Sequence, residues 1–151
     1  RSTGRDTAMS SARAKEIGEE NEYAIATSAD DLELVGDGEA TWHDARRDDG
    51  TPVEIKTCAF RITDGASSRR GRFLIKKAAH QTLLDEDGRY RLGVYLQTDR
   101  EIIVIVDVPA DFVDDVIGDS WMAAPQGRSY DEYAQIRWAE LIDPNEIEEH
   151  A

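Results

Sequence analysis

Alternating apolar and polar positions along the chain predict a mixture of strands and helices. Apolar residues at helical spacing between residues 10 and 27 predict a first helix, which Ser10 or Ser11 can cap. The continuous apolar run EIIVIVDV at residues 101–108 predicts a buried strand. The remaining predicted elements are strands at 31–35, 39–47, 51–62, 72–75 and 90–97, and helices at 76–85 and 109–117. This pattern predicts an α/β fold.

Two segments lack a clear period. Residues 63–71 (TDGASSRRG) are polar and rich in turn-forming residues, so we predict a mobile loop. Residues 130–142 fit either a helix or a strand over 134–138, and the pattern does not decide between them.

A hairpin between residues 39 and 62 is the most specific local signal. Asp48, Asp49 and Gly50 are typical of a tight turn, with Gly50 free to adopt positive φ. If these three residues form the loop, Asp44 lies directly opposite Glu54 on the paired strand. Opposed side chains of an antiparallel pair have Cβ atoms about 5 Å apart, so the two carboxylates would repel each other.

Strand alternation adds a lysine to this pair of acids. It places Glu54, Lys56 and Cys58 on one face of the second strand, with Val53 and Ile55 on the other. Because hard divalent cations such as Mg²⁺ take carboxylate oxygens, a cation between Asp44 and Glu54 would relieve the repulsion.

The arrangement Asp44-(x9)-Glu54-x-Lys56 across a hairpin resembles the PD-(D/E)xK nuclease superfamily. One departure is His43, which stands where the motif's name has proline. The resemblance covers roughly residues 14–106. It implies a restriction-endonuclease-like αβββαβ core, in which a central mixed sheet is flanked by helices.

The resemblance also implies roles for the site residues. Asp44, Glu54 and the carbonyl of Ile55 would be ligands of Mg²⁺ or Mn²⁺, and Lys56 would orient or help deprotonate the attacking water. The first helix often adds an acid in this superfamily. Glu22 has the most similar spacing, while Glu19 and Glu20 remain alternatives.

Cationic residues after the hairpin are candidates for contacts with substrate. Arg69, Arg70, Arg72 and Lys76 could hold DNA phosphates, which would fix position without reading sequence. His80 could touch phosphate or a metal-bound water, although a helix histidine of this kind more often packs. By alternation His43 points away from Asp44 and is expected to be structural.

Overall charge points away from an ordinary DNA-binding protein. The formal net charge is −14, from 32 acidic residues against 18 lysines and arginines, of which only four are lysine. Such an acid-rich, lysine-poor composition is expected of a halophile's cytoplasmic protein, so we predict a haloarchaeal origin. Charge is uneven, however: residues 52–84 contain seven cations and two acids.

Length and composition limit the remaining possibilities. The 151 residues suit one domain, assigned to 10–143, with an acidic tail at 144–151. Residues 1–9 are expected to be disordered or added in cloning. The single cysteine, Cys58, excludes an internal disulfide and fits a reducing cytoplasm, and no apolar run is long enough to span a membrane.

Together these features predict a Mg²⁺-dependent DNA endonuclease that acts as a homodimer, since duplex cleavage needs two cuts. A Holliday-junction-resolving or repair nuclease of the same fold is one alternative. A non-catalytic nucleic-acid-binding module is another. A third is an unrelated acidic protein whose hairpin binds a structural cation, in which case metal would raise the melting temperature without cleavage.

Overall fold

The computed structural model describes residues 11–35 and 43–147. The strands are β1 (Leu32–Leu34), β2 (Ala45–Arg47), β3 (Pro52–Ala59), β4 (Arg61–Asp64), β5 (Ser67–Arg70), β6 (Arg72–Lys76), β7 (Arg89–Tyr95), β8 (Ile102–Pro109), β9 (Met122–Ala123) and β10 (Glu132–Arg137). The helices are α1 (Ser11–Ser28), α2 (Lys77–Asp85), α3 (Ala110–Ile117) and α4 (Pro144–Ile147), with a 3₁₀ turn at Trp138–Glu140.

A five-stranded mixed sheet forms the centre of the fold, with strand order β1-β2-β3-β7-β8. The pair β3–β7 is parallel and the other pairs are antiparallel. Because a parallel pair needs a crossover connection, the chain leaves β3 and returns to β7 through α2. The predicted helix–strand order and mixed sheet are confirmed, and two smaller sheets, β6-β10-β9 and β4-β5, are added to them.

The central sheet is covered by apolar clusters of unequal size on its two faces. The larger core contains Cys58 and Leu92 from the sheet, together with residues of α2, α3 and the 3₁₀ turn, and Trp138 within it is fully buried. The smaller cluster lies under α1 and is formed by Ile25, Ala26, Ala45, Val53 and Ile55. The predicted alternation of β3 is therefore confirmed, since Val53 and Ile55 face α1 while Cys58 faces the larger core.

Five charged residues from separate segments join into a network that we call the Asp107 cluster (Asp31, Arg47, Arg89, Arg91 and Asp107). Asp107 accepts hydrogen bonds from Arg47 Nη2 at 2.8 Å, from Arg91 Nη2 at 3.0 Å and from Arg89 Nε. Arg91 also holds Asp31 with two bonds of 2.8 and 2.7 Å. The cluster ties β2, β7 and β8 to the segment that follows α1.

Residues 63–71 differ from the sequence prediction. Instead of a loop, β4 and β5 pair as a hairpin in which Arg61 lies opposite Arg70 and Thr63 opposite Ser68. We call residues 61–70 the arginine hairpin. The unresolved choice at 130–142 is also settled, because β10 pairs with both β6 and β9 before the chain turns at Trp138.

The strand predicted at 101–108 is confirmed as β8, but the prediction that it is buried is wrong. β8 lies at the edge of the central sheet, and Ile105 keeps 47% of its surface exposed. A continuous apolar run is typical of a strand covered on both faces, but here one face is only partly covered.

Two chain segments remain to be placed. Beyond Asp143, where an acidic tail was predicted, Pro144–Ile147 form α4 and Ile147 is fully buried in the larger core. Residues 36–38, the predicted strand residues 39–42 and both chain ends (1–10 and 148–151) lie outside the described residues. Within the described ranges, no helix is long and apolar enough to cross a membrane.

Candidate active site

The hairpin of β2 and β3 has the register that the sequence predicts. Ala45 pairs with Val53, and Asp44, just outside the paired residues, still donates its N–H to Val53 O and brings its carboxyl to that of Glu54. At the turn, Arg47 N donates to Thr51 O at 3.0 Å and Gly50 N donates to Arg47 O at 2.9 Å. Gly50 has φ of +89°, a conformation that favours glycine. The turn therefore fixes which two carboxylates meet.

Asp44 is held against β3 by its backbone and by its side chain. Its N–H donates to Val53 O at 3.1 Å, and its Oδ2 accepts from Ile55 N at 2.9 Å. These bonds leave Oδ1 available for other contacts, because one carboxylate has two oxygens. The carboxyl group is thus oriented beside β3 before any ligand binds.

Glu54 has the most perturbed electrostatics of the site. Burial raises its pKa well above its usual range, and a hydrogen bond with Asp44 raises the pKa further. The charges of Asp44 and Glu22 act in the same direction, while the nearby Lys56 opposes them. One lysine therefore does not offset the acidic groups around Glu54.

Lys56 lies two residues beyond Glu54, so strand alternation places both on the same face of β3. It is half-buried, and among the described residues it makes no hydrogen bond or ion pair. Cys58 follows on that face, but burial raises the pKa of its thiol, which makes it a poor nucleophile.

Glu22 comes from α1 to the same site. It lines a cleft of about 250 Å³ together with Asp44, His43 and Ile55. Glu20 is exposed, and the side chain of Glu19 lies outside the described part of the chain. Of the two acids whose side chains are described, Glu22 lines the cleft beside Asp44 and its charge acts on Glu54, although Glu54 and Lys56 do not line that cleft.

His43 also lines this cleft, which strand alternation did not predict. Residues 43 and 44 form a bend before β2 begins at Ala45, so the two-residue period does not apply to them. His43 is 3% exposed, and its Nε2 accepts a hydrogen bond from Arg46 Nε at 3.1 Å. Its burial fits the structural role expected of it, while its position brings it beside Asp44.

His80 is placed within the larger core. It is 1% exposed, its Nδ1 lies 2.7 Å from the hydroxyl of Tyr90, and its Nε2 lies 3.0 Å from Asp114 Oδ1. Both ring nitrogens are thus occupied within the protein. This geometry favours packing over contact with phosphate, so His80 is left out of the substrate contacts proposed below.

The four proposed phosphate contacts extend from the arginine hairpin into β6. Arg69 and Arg72 are exposed, whereas Arg70 and Lys76 are half-buried beside aromatic rings. The Arg70 guanidinium lies 5.2 Å from the centroid of Trp138, and Lys76 Nζ lies 4.9 Å from that of Tyr130. The exposed arginines are therefore the better placed to meet a substrate.

The site offers a hard cation two carboxylate ligands, those of Asp44 and Glu54. Asp44 and Glu54 are close enough to share a hydrogen bond, and the raised pKa of Glu54 is the expected result when two carboxyls meet without a cation. Across the described residues, no three His, Cys, Asp or Glu side chains cluster for metal binding. Mg²⁺ commonly keeps several waters and takes one or two protein carboxylates, so the pair fits it.

A carboxylate pair and a lysine on neighbouring positions of a mixed α/β sheet place the chain among nucleases of the restriction-endonuclease-like fold. A family model described as a PD-(D/E)XK nuclease superfamily domain matches residues 8–143. Because this match covers most of the chain, the protein belongs to the PD-(D/E)XK nuclease superfamily. No curated protein matches it.

Proposed function

We propose that this protein is a metal-dependent DNA endonuclease. It hydrolyses phosphodiester bonds with Asp44, Glu54 and Lys56 as its catalytic residues. The observation that carries the proposal is the excess of acid at Glu54, in a chain that belongs to a nuclease superfamily. Holding two facing, half-buried carboxylates together costs stability unless a cation or a proton lies between them. A site that keeps this cost is typical of function.

Each residue has a role that its position supports. Asp44 and Glu54 would hold Mg²⁺ or Mn²⁺, with the carbonyl of Ile55 as a further ligand and Glu22 assisting from the cleft. When bound, the cation supplies a more acidic water and neutralises charge on the phosphate. Lys56 makes no hydrogen bond among the described residues, so its ammonium is available to orient the attacking water or a phosphate oxygen.

The reaction is a hydrolysis, in which water adds to phosphorus and the bond to one bridging oxygen breaks. The bridging oxygen leaves with a proton, and the phosphate keeps the added oxygen. The exposed Arg69 and Arg72, which flank Gly71 in the chain, would hold the DNA backbone. We further propose that two copies act together as a homodimer, since a duplex has two strands to cut.

The test is cleavage of supercoiled plasmid by the wild type, Asp44→Asn and Lys56→Ala, with Mg²⁺, Mn²⁺ or EDTA, in molar KCl and in low salt. We expect metal-dependent nicking, and a loss of about 100-fold or more in each variant. Asp115→Asn and Arg128→Ala remove an exposed acid and an exposed cation outside the site, and should cut as the wild type does.

The substrate panel should include four-way junctions, flaps and RNA. Cutting of junctions alone would indicate a resolving or repair nuclease of this fold. If folded wild-type protein leaves every substrate intact with both metals, catalysis is contradicted, and the site would be one for binding or for a structural cation.

A further inference from the structure

The arginine hairpin projects from the strand that carries the catalytic residues. It begins directly after β3, and Arg61 is five residues beyond Lys56. Five residues span at most about 18 Å, so the start of the hairpin lies within that distance of the Lys56 backbone. Arg61, Thr63 and residues 65–69 are exposed.

The base of the hairpin is fixed to the body of the protein. Gly71 packs so closely against the Ala59 carbonyl that any side chain would collide with it. Trp138 donates from Nε1 to Phe60 O at 2.8 Å, and Thr63 N donates to Gln97 Oε1 at 3.0 Å. A fixed base with an exposed end is the geometry of a rigid projecting ribbon.

Charge on this ribbon is opposite to that of the rest of the chain. Residues 61–70 contain three arginines and one acid, in a protein of net charge −14. Arg61 and Arg70 face each other directly across the two strands, a like-charge pairing that destabilises a hairpin. Within the described residues, Arg61 and Arg69 form no ion pair, although acids outnumber cations nearly two to one in the chain.

The width and the polar groups of the arginine hairpin fit duplex DNA. Paired strands lie about 5 Å apart, and the major groove of B-DNA, about 12 Å wide, admits a two-stranded ribbon. Thr63 and Ser68 lie opposite each other, two positions along from the Arg61–Arg70 pair and therefore on the same face of the ribbon. Hydroxyls and guanidinium groups are donors that contact both phosphates and base edges.

We propose that the arginine hairpin enters the major groove of duplex DNA and makes the enzyme select duplex over single strands. This inference rests on the proposed nuclease function and extends it. Arg61, Thr63 and Ser68 lie on one face of the ribbon and contact the groove, while Arg69, opposite Ile62 on the other face, contacts a phosphate beside it. Arg70 packs against the ring of Trp138 at the base of the ribbon.

The test is fluorescence-anisotropy binding of a 20-base-pair duplex and of its single strands. Lys56→Ala is the parent protein, so that DNA stays uncut. We expect the parent to prefer duplex, and Arg61→Ala/Arg69→Ala to bind duplex at least tenfold more weakly. The dependence of log affinity on log salt should fall by about one for each phosphate that the variant no longer neutralises. Arg128→Ala is the matched control, since Arg128 is exposed and unpaired among the described residues, and it should bind as the parent does.

A second pair of substrates separates groove entry from simple charge attraction. Duplex with bulky groups at the 5-position of pyrimidines fills the major groove, whereas a minor-groove ligand fills the other. We expect the bulky groups to weaken binding by the parent at least tenfold, and the minor-groove ligand to leave it unchanged. Melting temperatures of all variants confirm that they are folded.

Two outcomes would overturn the inference alone. One is a double variant that binds duplex as tightly as Arg128→Ala does, and the other is parent binding that is insensitive to the bulky groups. A folded parent that binds no nucleic acid would instead overturn the proposed function as well.

Discussion

Two charged clusters lie against the same sheet, and they are built in opposite ways. In the Asp107 cluster, three arginines surround two acids, and each acid accepts at least two hydrogen bonds. In the second, which we call the Asp44 cluster (Glu22, Asp44, Glu54 and Lys56), the charges of Asp44 and Glu22 raise the pKa of Glu54 and one lysine opposes them. The first is neutralised by the protein itself, and the second is not.

The pKa values of the acids are shifted in opposite directions in the two clusters. Partial burial disfavours the charged form of Asp107, but hydrogen bonds from Arg89 and Arg91 outweigh burial and lower the pKa of Asp107. A hydrogen bond from Arg91 lowers the pKa of Asp31 to about 2. For Glu54, burial and the neighbouring acids act together and raise the pKa. The carboxylates with their own cations serve structure, and the pair without them is the one that we propose binds a cation.

The largest expected effect comes from removing the central acid of the Asp107 cluster. Asp107→Ala leaves three partly buried arginines without their shared acceptor, so we expect unfolding to become easier by about 2–4 kcal/mol. Urea denaturation in EDTA measures the change. Asp115→Asn, which removes an exposed acid of α3, should change stability little. An equally small change in Asp107→Ala would mean that the cluster is not structural.

An intermediate effect of opposite sign is expected in the Asp44 cluster. Glu54→Gln keeps the shape of the side chain and removes a charge that its neighbours disfavour. At pH 8 in EDTA we expect it to stabilise the metal-free protein, by less than the loss expected in Asp107→Ala, because the charged form of Glu54 is the disfavoured one. The same denaturation measurement applies. Destabilisation at pH 8 would show that Glu54 is adequately neutralised without metal.

The smallest expected effect is on the pH dependence of stability. Because the folded-state pKa of Glu54 is raised, the folded protein holds a proton that the unfolded chain has lost, so this contribution to stability falls as pH rises from about 4.3 through the folded pKa. The lowered pKa values of Asp31 and Asp107 act oppositely, and their contribution is lost as pH falls below about 3.9.

The comparison variant for this titration is Glu54→Gln. Thermal unfolding of both proteins in EDTA from pH 5 to pH 8 should show the wild type losing stability relative to Glu54→Gln as pH rises. Parallel curves would contradict the raised pKa of Glu54.

The pair of Asp44 and Glu54 could be predicted because its information is local, whereas Glu22 came only from the family resemblance. The residues of the turn set the register, and the register sets the facing pair of Asp44 and Glu54. The Asp107 cluster escaped prediction because it joins strands that are far apart in sequence. Its available signal was the alternation of Arg89 and Arg91, which places both arginines on one face of β7, opposite an acid in the next strand.

Predictions for three other parts of the chain failed for identifiable physical reasons. The arginine hairpin has few apolar residues, so its two-residue period is hidden, and Ile62 is its main anchor against the sheet. β8 is apolar throughout, and local pattern cannot tell a central strand from an edge strand. The place of His80 depends on Tyr90 and Asp114, which come from other elements. Predictions of homodimerisation and of a haloarchaeal origin remain predictions.

The most direct test of the central account is a calorimetric titration of Mn²⁺ into the wild type, Glu54→Gln and Asp115→Asn. We expect the wild type and the Asp115→Asn control to bind Mn²⁺ at one site, with proton release because Glu54 must ionise. We expect Glu54→Gln to bind Mn²⁺ at least about tenfold more weakly. Equal Mn²⁺ affinity in all three proteins, or no binding by the folded wild type, would contradict the assignment of the Asp44 cluster as a metal site.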